Sequence, residues 1–274
     1  GTRECGLMDN AQAVLLALIQ GLTEFLPVSS SAHLILPSQL LGWPDQGLAF
    51  DVAVHAGTLA AVVFYYRQVL SGLVGGVLGR GDSVGVSRQE AQCLVVATLP
   101  ALVVGLVFSD FIDGYLRGTA VIATTTLVFG LLLGLSYRYR LAGDGEQPIT
   151  RVDHAVMIGL AQALALIPGT SRSGITITAS LFLGYNVATA ARFSFLLSIP
   201  VIFGALILML IRQTDAFVSA SNLGLMALAM VISAISAYLT IAFFVGLVVR
   251  VGMMPFVVYR VALALGLFSI VVFL

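Results

Sequence analysis

Lysine is absent from this sequence, tryptophan occurs once, cysteine occurs twice, and charged residues make up only 9% of the 274 positions. A soluble domain carries about 25% charged residues, which it needs over its solvated surface. Thirteen basic and thirteen acidic residues, with a net charge of zero, cannot cover a water-facing surface of this size. These shortages exclude a soluble enzyme, a disordered chain and a nucleic-acid binder. The 59% of hydrophobic residues instead predicts an integral membrane protein.

The beginning of the chain differs from the rest. Residues 1–7 precede Met8 and lack the apolar stretch of a signal peptide, so we interpret them as a remnant of cloning and leave them out of the fold. Cys5 lies in this polar segment and Cys93 in an apolar run, so no disulfide between them is expected. The polar connections that follow are too short to separate soluble domains. Residues 8–274 are therefore predicted to form a single membrane domain.

Six apolar runs are long enough to cross a bilayer, which takes about 20 residues of helix. Their composition predicts an all-α polytopic membrane protein with six transmembrane helices. The runs cover residues 49–66, 91–108, 119–137, 193–211, 223–249 and 254–274.

Two further apolar segments, residues 10–41 and 154–184, are interrupted near their middle. Each contains a proline followed by small hydroxyl residues, in LTEFLPVSSSAH at 22–33 and in LIPGTSRSG at 166–174. Proline ends a helix, and serine or threonine after the break favours the start of a new one. We predict two re-entrant helical hairpins, whose breaks line a polar cavity because irregular backbone is tolerated there within a membrane.

The two hairpins resemble each other in spacing, and each precedes three apolar runs. An odd number of spans reverses the second copy relative to the first, which predicts an inverted-topology repeat of residues 10–137 and 154–274. The corresponding positions, 141 or 142 residues apart, are Gln20 and Gln162, Pro27 and Pro168, and the pairs Leu41-Gly42 and Leu183-Gly184.

Arginine placement predicts the orientation of these spans. Positive residues gather in cytoplasmic connections, and eight arginines lie on one side against two on the other. The connections 67–90 and 138–153 are therefore predicted to be cytoplasmic, and 109–118 and 212–222 to lie outside with the first hairpin. The eight are Arg67, Arg80, Arg88, Arg138, Arg140, Arg151, Arg192 and Arg250, and the two are Arg117 and Arg212.

Charged residues within the apolar segments are few, and two of them, Glu24 and Arg172, stand beside the two breaks. A charge at the centre of a membrane helix costs about 2.5–3.5 kcal/mol on the insertion scale, so it indicates function. Gln20 and Glu24 are spaced to share a helix face, and so are Ser30 and His33.

Hydroxyl groups accompany both charges. Two new helix N-termini, these hydroxyls and a guanidinium converging near mid-membrane would bind an anion, and phosphate suits them best. Phosphoryl transfer needs charge neutralisation by Arg172, a proton acceptor or metal ligand such as Glu24, and an attacking oxygen or nitrogen. Ser30, His33 and water all remain candidates for the nucleophile. The predicted substrate-binding residues are Gln20, Ser29, Thr170, Ser171, Ser173 and Thr176.

Each of these residues also has a structural interpretation. Ser29, Ser31 and Ser173 can supply hydrogen bonds to broken backbone. The remaining charges can be local: Asp51 and His55 as a hydrogen-bonded pair one turn apart, and Arg260 extending to the cytoplasmic interface. Glu24 and Arg172 can form a structural ion pair between the hairpins.

At these residues the sequence resembles the bacterial undecaprenyl-pyrophosphate phosphatases, also called bacitracin resistance proteins. Residues 20–33 are similar to the (E/Q)xxxE–PxSS–H motif of that family and residues 168–176 to its PGxSRSxxT motif. The resemblance covers essentially the whole chain after Met8. It implies hydrolysis of a C55 isoprenyl pyrophosphate to its monophosphate, which recycles the lipid carrier for peptidoglycan synthesis and confers bacitracin resistance.

The resemblance also implies functional roles for Glu24, Ser30, His33, Ser171 and Arg172. It further implies a divalent cation, Mg²⁺ or Ca²⁺, with Glu24 as a candidate ligand, and a homodimer in the inner membrane whose site opens to the periplasm. Gln20 departs from the members that have glutamate there, which argues against a metal site with two carboxylates. The competing hypothesis is a lipid-phosphate transporter or flippase, because inverted repeats with broken helices are typical of transporters.

Overall fold

The computed structural model describes residues 9–43, 47–80, 84–140, 147–212 and 223–273. This part of the chain contains eleven α-helices and one 3-10 turn, and no strand. The prediction of an all-α protein is confirmed for the described residues. Residues 1–7, and the predicted connection 212–222 beyond Arg212, lie outside the described residues.

The helices fall into two broken pairs and seven others. The first pair is α1 (Asn10–Thr23) and α2 (Ser30–Leu41), and the second is α7 (Val152–Ala163), continued by a 3-10 turn (Leu164–Leu166), and α8 (Arg172–Phe182). The others are α3 (Gly47–Tyr65), α4 (Arg67–Val77), α5 (Val84–Tyr115), α6 (Thr119–Tyr139), α9 (Val187–Arg212), α10 (Leu223–Val251) and α11 (Met254–Phe273).

Five of these helices, α5, α6, α9, α10 and α11, are long and apolar enough to cross a membrane. The remaining predicted span, 49–66, falls on α3, which is followed by α4 after a bend of 74°. Counting that bent pair as one span gives six.

Several boundaries differ from the prediction: α4 lies within the predicted connection 67–90, α5 extends beyond the run 91–108 at both ends, and α9 begins at Val187, before residue 193. Helix α5 begins at Val84, within the connection predicted for 67–90. The polar stretch before Cys93 remains helical because the Glu90 carboxylate accepts two hydrogen bonds, of 2.5 and 3.0 Å, from the Arg192 guanidinium of α9. A buried carboxylate that accepts two hydrogen bonds from one guanidinium is stabilised within a helix.

The two breaks share an unusual backbone conformation. Ser29 and Ser171, each just before the second helix of its pair, have φ of 74° and 69° and are the only non-glycine residues with positive φ in the described part of the chain. They are 142 residues apart, as are Gly42 (φ 64°) and Gly184 (φ 90°), which follow the ends of α2 and α8. The left-handed conformation is costly for serine. It is supported at Ser171 by a hydrogen bond from the Gly174 amide to the serine hydroxyl, 3.2 Å.

The second pair lies close against α5. A Cβ at Gly159 would approach the Ala97 carbonyl oxygen to 2.7 Å, so only glycine allows this approach. The same carbonyl accepts a hydrogen bond from the buried Gln162 amide, 3.1 Å. Helix α10 packs on α1 and α3, and α11 packs on α6. These contacts hold both breaks in the interior of the bundle.

The prediction that Arg260 extends to the interface is wrong, because its side chain is fully buried. Its guanidinium donates to the carbonyl oxygens of Thr126, at 3.1 Å, and of Gly169, at 2.9 Å. Broken backbone in an apolar interior leaves carbonyl groups without intrahelical donors. Arg260 supplies a donor to the Gly169 carbonyl oxygen at the second break and a further one to Thr126 within α6, which explains a buried charge on α11.

Candidate active site

The two breaks meet at an ion pair between Glu24 and Arg172. Arg172 Nη2 lies 3.2 Å from Glu24 Oε1, and Arg172 Nη1 donates to the Ser194 carbonyl oxygen of α9 at 3.0 Å. Both charged side chains are nearly buried, at 10% and 12% exposure. A carboxylate and a guanidinium removed from water in this way stabilise each other's charge, and both retain further hydrogen-bonding capacity.

The other oxygen of Glu24 accepts from two polar groups of the first pair. Ser30 Oγ donates to Glu24 Oε2 at 3.3 Å, and Gln20 Nε2 donates to it at 2.9 Å. The Gln20 contact follows from the spacing of four residues along α1 and its continuation. Glu24 therefore joins the candidate nucleophile Ser30 to the candidate phosphate ligand Arg172.

Serines at corresponding positions tie the breaks together. Ser31 Oγ lies 3.2 Å from Ser29 Oγ and accepts from the Gly169 amide at 3.0 Å. In the second break, Ser173 Oγ lies 3.3 Å from Ser171 Oγ and donates to the Leu26 carbonyl oxygen at 2.9 Å. Each break thus bonds to backbone of the other. Ser31 and Ser173 therefore form hydrogen bonds with the broken backbone, as their structural interpretation predicted.

The two predicted threonines are fully buried behind the second break. Thr176 Oγ1 donates to Ser194 Oγ at 2.7 Å and lies 2.9 Å from the Arg172 carbonyl oxygen. It therefore supports the first turn of α8. Thr170 Oγ1 is buried without a hydrogen-bond partner in the described part of the chain.

The structure does not pair His33 with Ser30. His33 Nδ1 lies 2.7 Å from the Ser29 carbonyl oxygen, which can only accept, so Nδ1 carries the proton. Nε2 lies 2.6 Å from the Tyr259 hydroxyl, which donates to it, and the two rings stack in parallel. Both ring nitrogens are thus engaged, while the Ser30 hydroxyl donates to Glu24.

His33 and Tyr259 instead line a groove of about 450 Å³ on the other face of α1 from Gln20 and Glu24. The remaining lining is mainly apolar: Ile19, Leu22, Thr23, Leu26, Val28, Pro255 and Phe256. Tyr259 follows His33 by 226 positions, so no local sequence signal indicates this contact.

His55 also belongs to the site, although no sequence motif predicts it there. His55 donates from Nδ1 to the backbone carbonyl oxygen of Asp51, 2.7 Å away, and its Nε2 lies 3.2 Å from Gln20 Nε2. The sequence does show an imidazole within the apolar run of α3, but this imidazole was interpreted as one half of a local hydrogen-bonded pair with Asp51. The packing of α3 brings His55 to Gln20.

Glu24 and Arg172 open into a cavity of about 180 Å³ among α5, the 3-10 turn and α9. His55 and Gln162 complete its polar end, and the remaining wall is apolar. A ligand with an anionic head and an aliphatic chain suits such a cavity. The apolar lining residues are Ala101, Ala165, Leu166, Val201, Ile202, Ala205, Leu206 and Met209.

The donor set for a metal ion is small. No group of three or more histidine, cysteine, aspartate or glutamate side chains arranged to hold a metal occurs among the described residues. Glu24 is the carboxylate of the cavity, and the side-chain carbonyl oxygen of Gln162, which also lines it, is buried without a hydrogen-bond partner among the described residues. Mg²⁺ binds through one or two carboxylates together with substrate phosphate and water. These residues fit a cation that arrives with a phosphorylated substrate.

Comparisons with known proteins agree with the resemblance in the motifs. The family model described as bacitracin resistance protein BacA matches residues 13–266. The chain is 58% identical to an undecaprenyl-diphosphatase of Alcanivorax borkumensis over 270 residues, which is 95% of this chain and 98% of that one.

Two further relatives carry the same name. One, of Saccharophagus degradans, is 50% identical over 97% of this chain and 100% of its own length. The other, of Teredinibacter turnerae, is 52% identical over 95% of this chain and 99% of its own. With identities of this size over nearly its whole length and a family model that spans both breaks, the chain belongs to the bacitracin resistance protein BacA family.

Proposed function

We propose that this protein hydrolyses undecaprenyl pyrophosphate to undecaprenyl phosphate and inorganic phosphate. The observation that carries the proposal is the cavity in which the Glu24–Arg172 pair faces an apolar wall. An anionic pyrophosphate fits the guanidinium end, and a prenyl chain fits the aliphatic wall. The relatives that bear the name undecaprenyl-diphosphatase support the same substrate. The activity serves recycling of the lipid carrier for the cell wall and thereby bacitracin resistance.

Arg172 binds the pyrophosphate and stabilises the charge that develops on it. Its two terminal nitrogens can contact two phosphate oxygens, because a guanidinium is a planar fork. Ser171, at the N-cap of α8, and the unpaired amides of that helix N-terminus add hydrogen-bond donors. Charge neutralisation of this kind is the main requirement of phosphoryl transfer.

Ser30 is the proposed nucleophile and Glu24 its base. The serine oxygen attacks the terminal phosphorus while its proton passes to Glu24, to which the hydroxyl already donates. The bond between the terminal phosphorus and the bridging oxygen breaks, and the lipid monophosphate leaves. Water then hydrolyses the phosphoserine and releases inorganic phosphate. Direct attack by a water that Glu24 activates, and attack by His33, are the alternatives.

The divalent cation implied by the family is proposed to bind Glu24. The side-chain carbonyl oxygen of Gln162, which lines the same cavity and has no hydrogen-bond partner among the described residues, is the second protein group suited to it. The cation would neutralise charge on the leaving phosphate. Mg²⁺ and Ca²⁺ both accept such oxygen ligands.

The arrangement in the membrane is proposed to follow the sequence prediction. Six spans and two re-entrant hairpins form an inverted repeat in the bacterial inner membrane, with the site open to the periplasm and the protein a homodimer. The left-handed serines and the terminal glycines, each 142 residues apart, support a repeat. Hydrocarbon chains of membrane lipids cover the exposed apolar side chains of the long helices.

Phosphate release tests the activity directly. Protein purified in detergent should convert a polyprenyl pyrophosphate to monophosphate, and Arg172→Ala should abolish the conversion. A protein that binds the lipid and moves it between vesicle leaflets without phosphate release would favour the transporter hypothesis instead.

A further inference from the structure

His55 lies in the cavity beside Glu24 and Arg172, yet neither sequence motif includes it and the proposed reaction does not use it. It is one of three histidines in the chain. Its place among the charged groups of the site raises the question of what it contributes.

The hydrogen bonds of His55 define its tautomer. The Asp51 carbonyl oxygen, 2.7 Å from Nδ1, can only accept, so the proton of a neutral ring lies on Nδ1. Nε2 is then an acceptor. The group 3.2 Å from it is the side-chain nitrogen of Gln20, which can only donate. His55 therefore accepts a hydrogen bond from the Gln20 amide.

The Gln20 amide connects His55 to Glu24 through two hydrogen bonds. Its side-chain nitrogen has two hydrogens and donates to His55 Nε2 and to Glu24 Oε2, 2.9 Å away. Rotating the fully buried amide by half a turn would place its carbonyl oxygen against two acceptors. His55 and Glu24 together determine which end of the amide faces the carboxylate.

We propose that His55 is a positioning residue, which through the Gln20 amide orients the Glu24 carboxylate toward Ser30 and Arg172. This inference rests on the proposed function, because it assigns Glu24 a reaction to perform.

Few charged groups face His55. Glu24 follows α1 and Arg172 begins α8, and Asp51 is on the helix of His55 itself. Helix α9 contributes apolar side chains to the cavity wall. Helix α10 approaches α3 through Ser233, whose hydroxyl donates to the Val54 carbonyl oxygen.

The test measures phosphate release from a polyprenyl pyrophosphate by the purified full-length protein and its variants. His55→Leu removes the acceptor and should lower kcat about tenfold, the effect of one oriented hydrogen bond, with little change in KM. His55→Gln restores a neutral acceptor, so it should keep most of the native kcat. His154→Gln is the matched control, since His154 bonds to the Tyr185 hydroxyl at 2.8 Å outside the cavity lining.

A double-variant cycle tests transmission through Gln20. His55→Leu should cost nothing further in a Gln20→Leu background, because the amide is already gone. If the losses in kcat of His55→Leu and Gln20→Leu multiply in the double variant, the proposal is overturned. A His55→Gln variant as impaired as His55→Leu would also overturn it. A histidine ¹⁵N spectrum gives a readout independent of turnover, in which Gln20→Leu should shift the His55 Nε2 signal of a neutral Nδ1–H ring. If the native protein releases no phosphate, the proposed function fails, whereas an unshifted Nε2 signal would refute the His55–Gln20 contact itself.

Discussion

Ser30 and Arg172 hold the same place in the two broken pairs, and both bond to Glu24. Each is the first residue of the helix after its break, and they are 142 residues apart. Ser30 Oγ lies 3.3 Å from one oxygen of Glu24, and Arg172 Nη2 lies 3.2 Å from the other. Corresponding positions thus supply a hydroxyl in one hairpin and a cation in the other, and a single carboxylate brings them together.

Replacing Arg172 by lysine should keep the fold but lower kcat/KM about 100-fold, because an ammonium cannot contact two phosphate oxygens as a guanidinium does. Phosphate-release kinetics measure the loss, and the melting temperature checks the fold. Arg250→Lys, at an exposed site near the end of α10, serves as the control. Near-native kcat in Arg172→Lys would show that simple charge suffices.

Glu24→Gln keeps the size of the side chain and removes its ability to accept a proton or hold a cation. We expect a loss of about 10²–10⁴-fold in kcat, the usual contribution of a general base. The measurement is phosphate release at saturating substrate, with the exposed Asp110→Asn as control. More than about a tenth of native activity in Glu24→Gln would be too much for loss of a base.

The nucleophile can be identified by rapid quenching with substrate labelled in its terminal phosphate. Attack by Ser30 predicts an acid-stable label on the protein and a loss of at least about 100-fold in Ser30→Ala. His33→Gln should lose less, because His33 bonds to Ser29 and Tyr259 rather than to Ser30. The exposed Ser269→Ala is the control.

Other quench results would change the assignment. An acid-labile, base-stable label would identify histidine as the nucleophile. Unlabelled protein, with Ser30→Ala still active, would leave direct attack by water.

Arg260→Met should destabilise the second break. It removes two charged hydrogen bonds, to the Thr126 and Gly169 carbonyl oxygens, and a hydrogen bond of a charged group contributes about 1.5–3 kcal/mol. Arg260→Lys can keep one donor, so its melting temperature should lie between those of Arg260→Met and the native protein. Thermal unfolding in detergent measures the order of the three melting temperatures. Equal melting temperatures would contradict the role given to this guanidinium.

Orientation can be tested by labelling single cysteines in cells with a reagent that does not cross the membrane, in a background without Cys5 and Cys93. Asp110→Cys should react from outside and Arg80→Cys should not, because arginines concentrate in the connections predicted to be cytoplasmic. The reverse pattern would overturn the predicted orientation. Permeabilised cells, in which both positions should react, control for accessibility.

Local patterns in the sequence were sufficient for much of this site. Proline and hydroxyl residues located both breaks, and a spacing of four residues predicted that Gln20 and Glu24 share a face, as their 2.9 Å hydrogen bond shows. The convergence of Glu24 with Arg172 was expected because two similar breaks of an inverted repeat would meet. Each of these inferences needs only short-range rules and the similarity of two segments.

Contacts between distant segments could not be predicted in this way. His55 reaches Gln20, and Tyr259 reaches His33, through the packing of helices whose rotation about their own axes the sequence does not specify. Arg260 was assigned to the interface by a rule about helix ends. The carbonyl groups that hold it belong to α6 and the second break, so no pattern within α11 indicates them.

The Glu24–Arg172 pair has a consequence for the protein between turnovers. A lone guanidinium within the bilayer would attract small anions from the open side, and a lone carboxylate would attract protons or metal ions. The nearly buried pair leaves the polar end of the cavity without net charge. Between turnovers the two reactive groups therefore neutralise each other, so neither needs a counter-ion from outside the cavity.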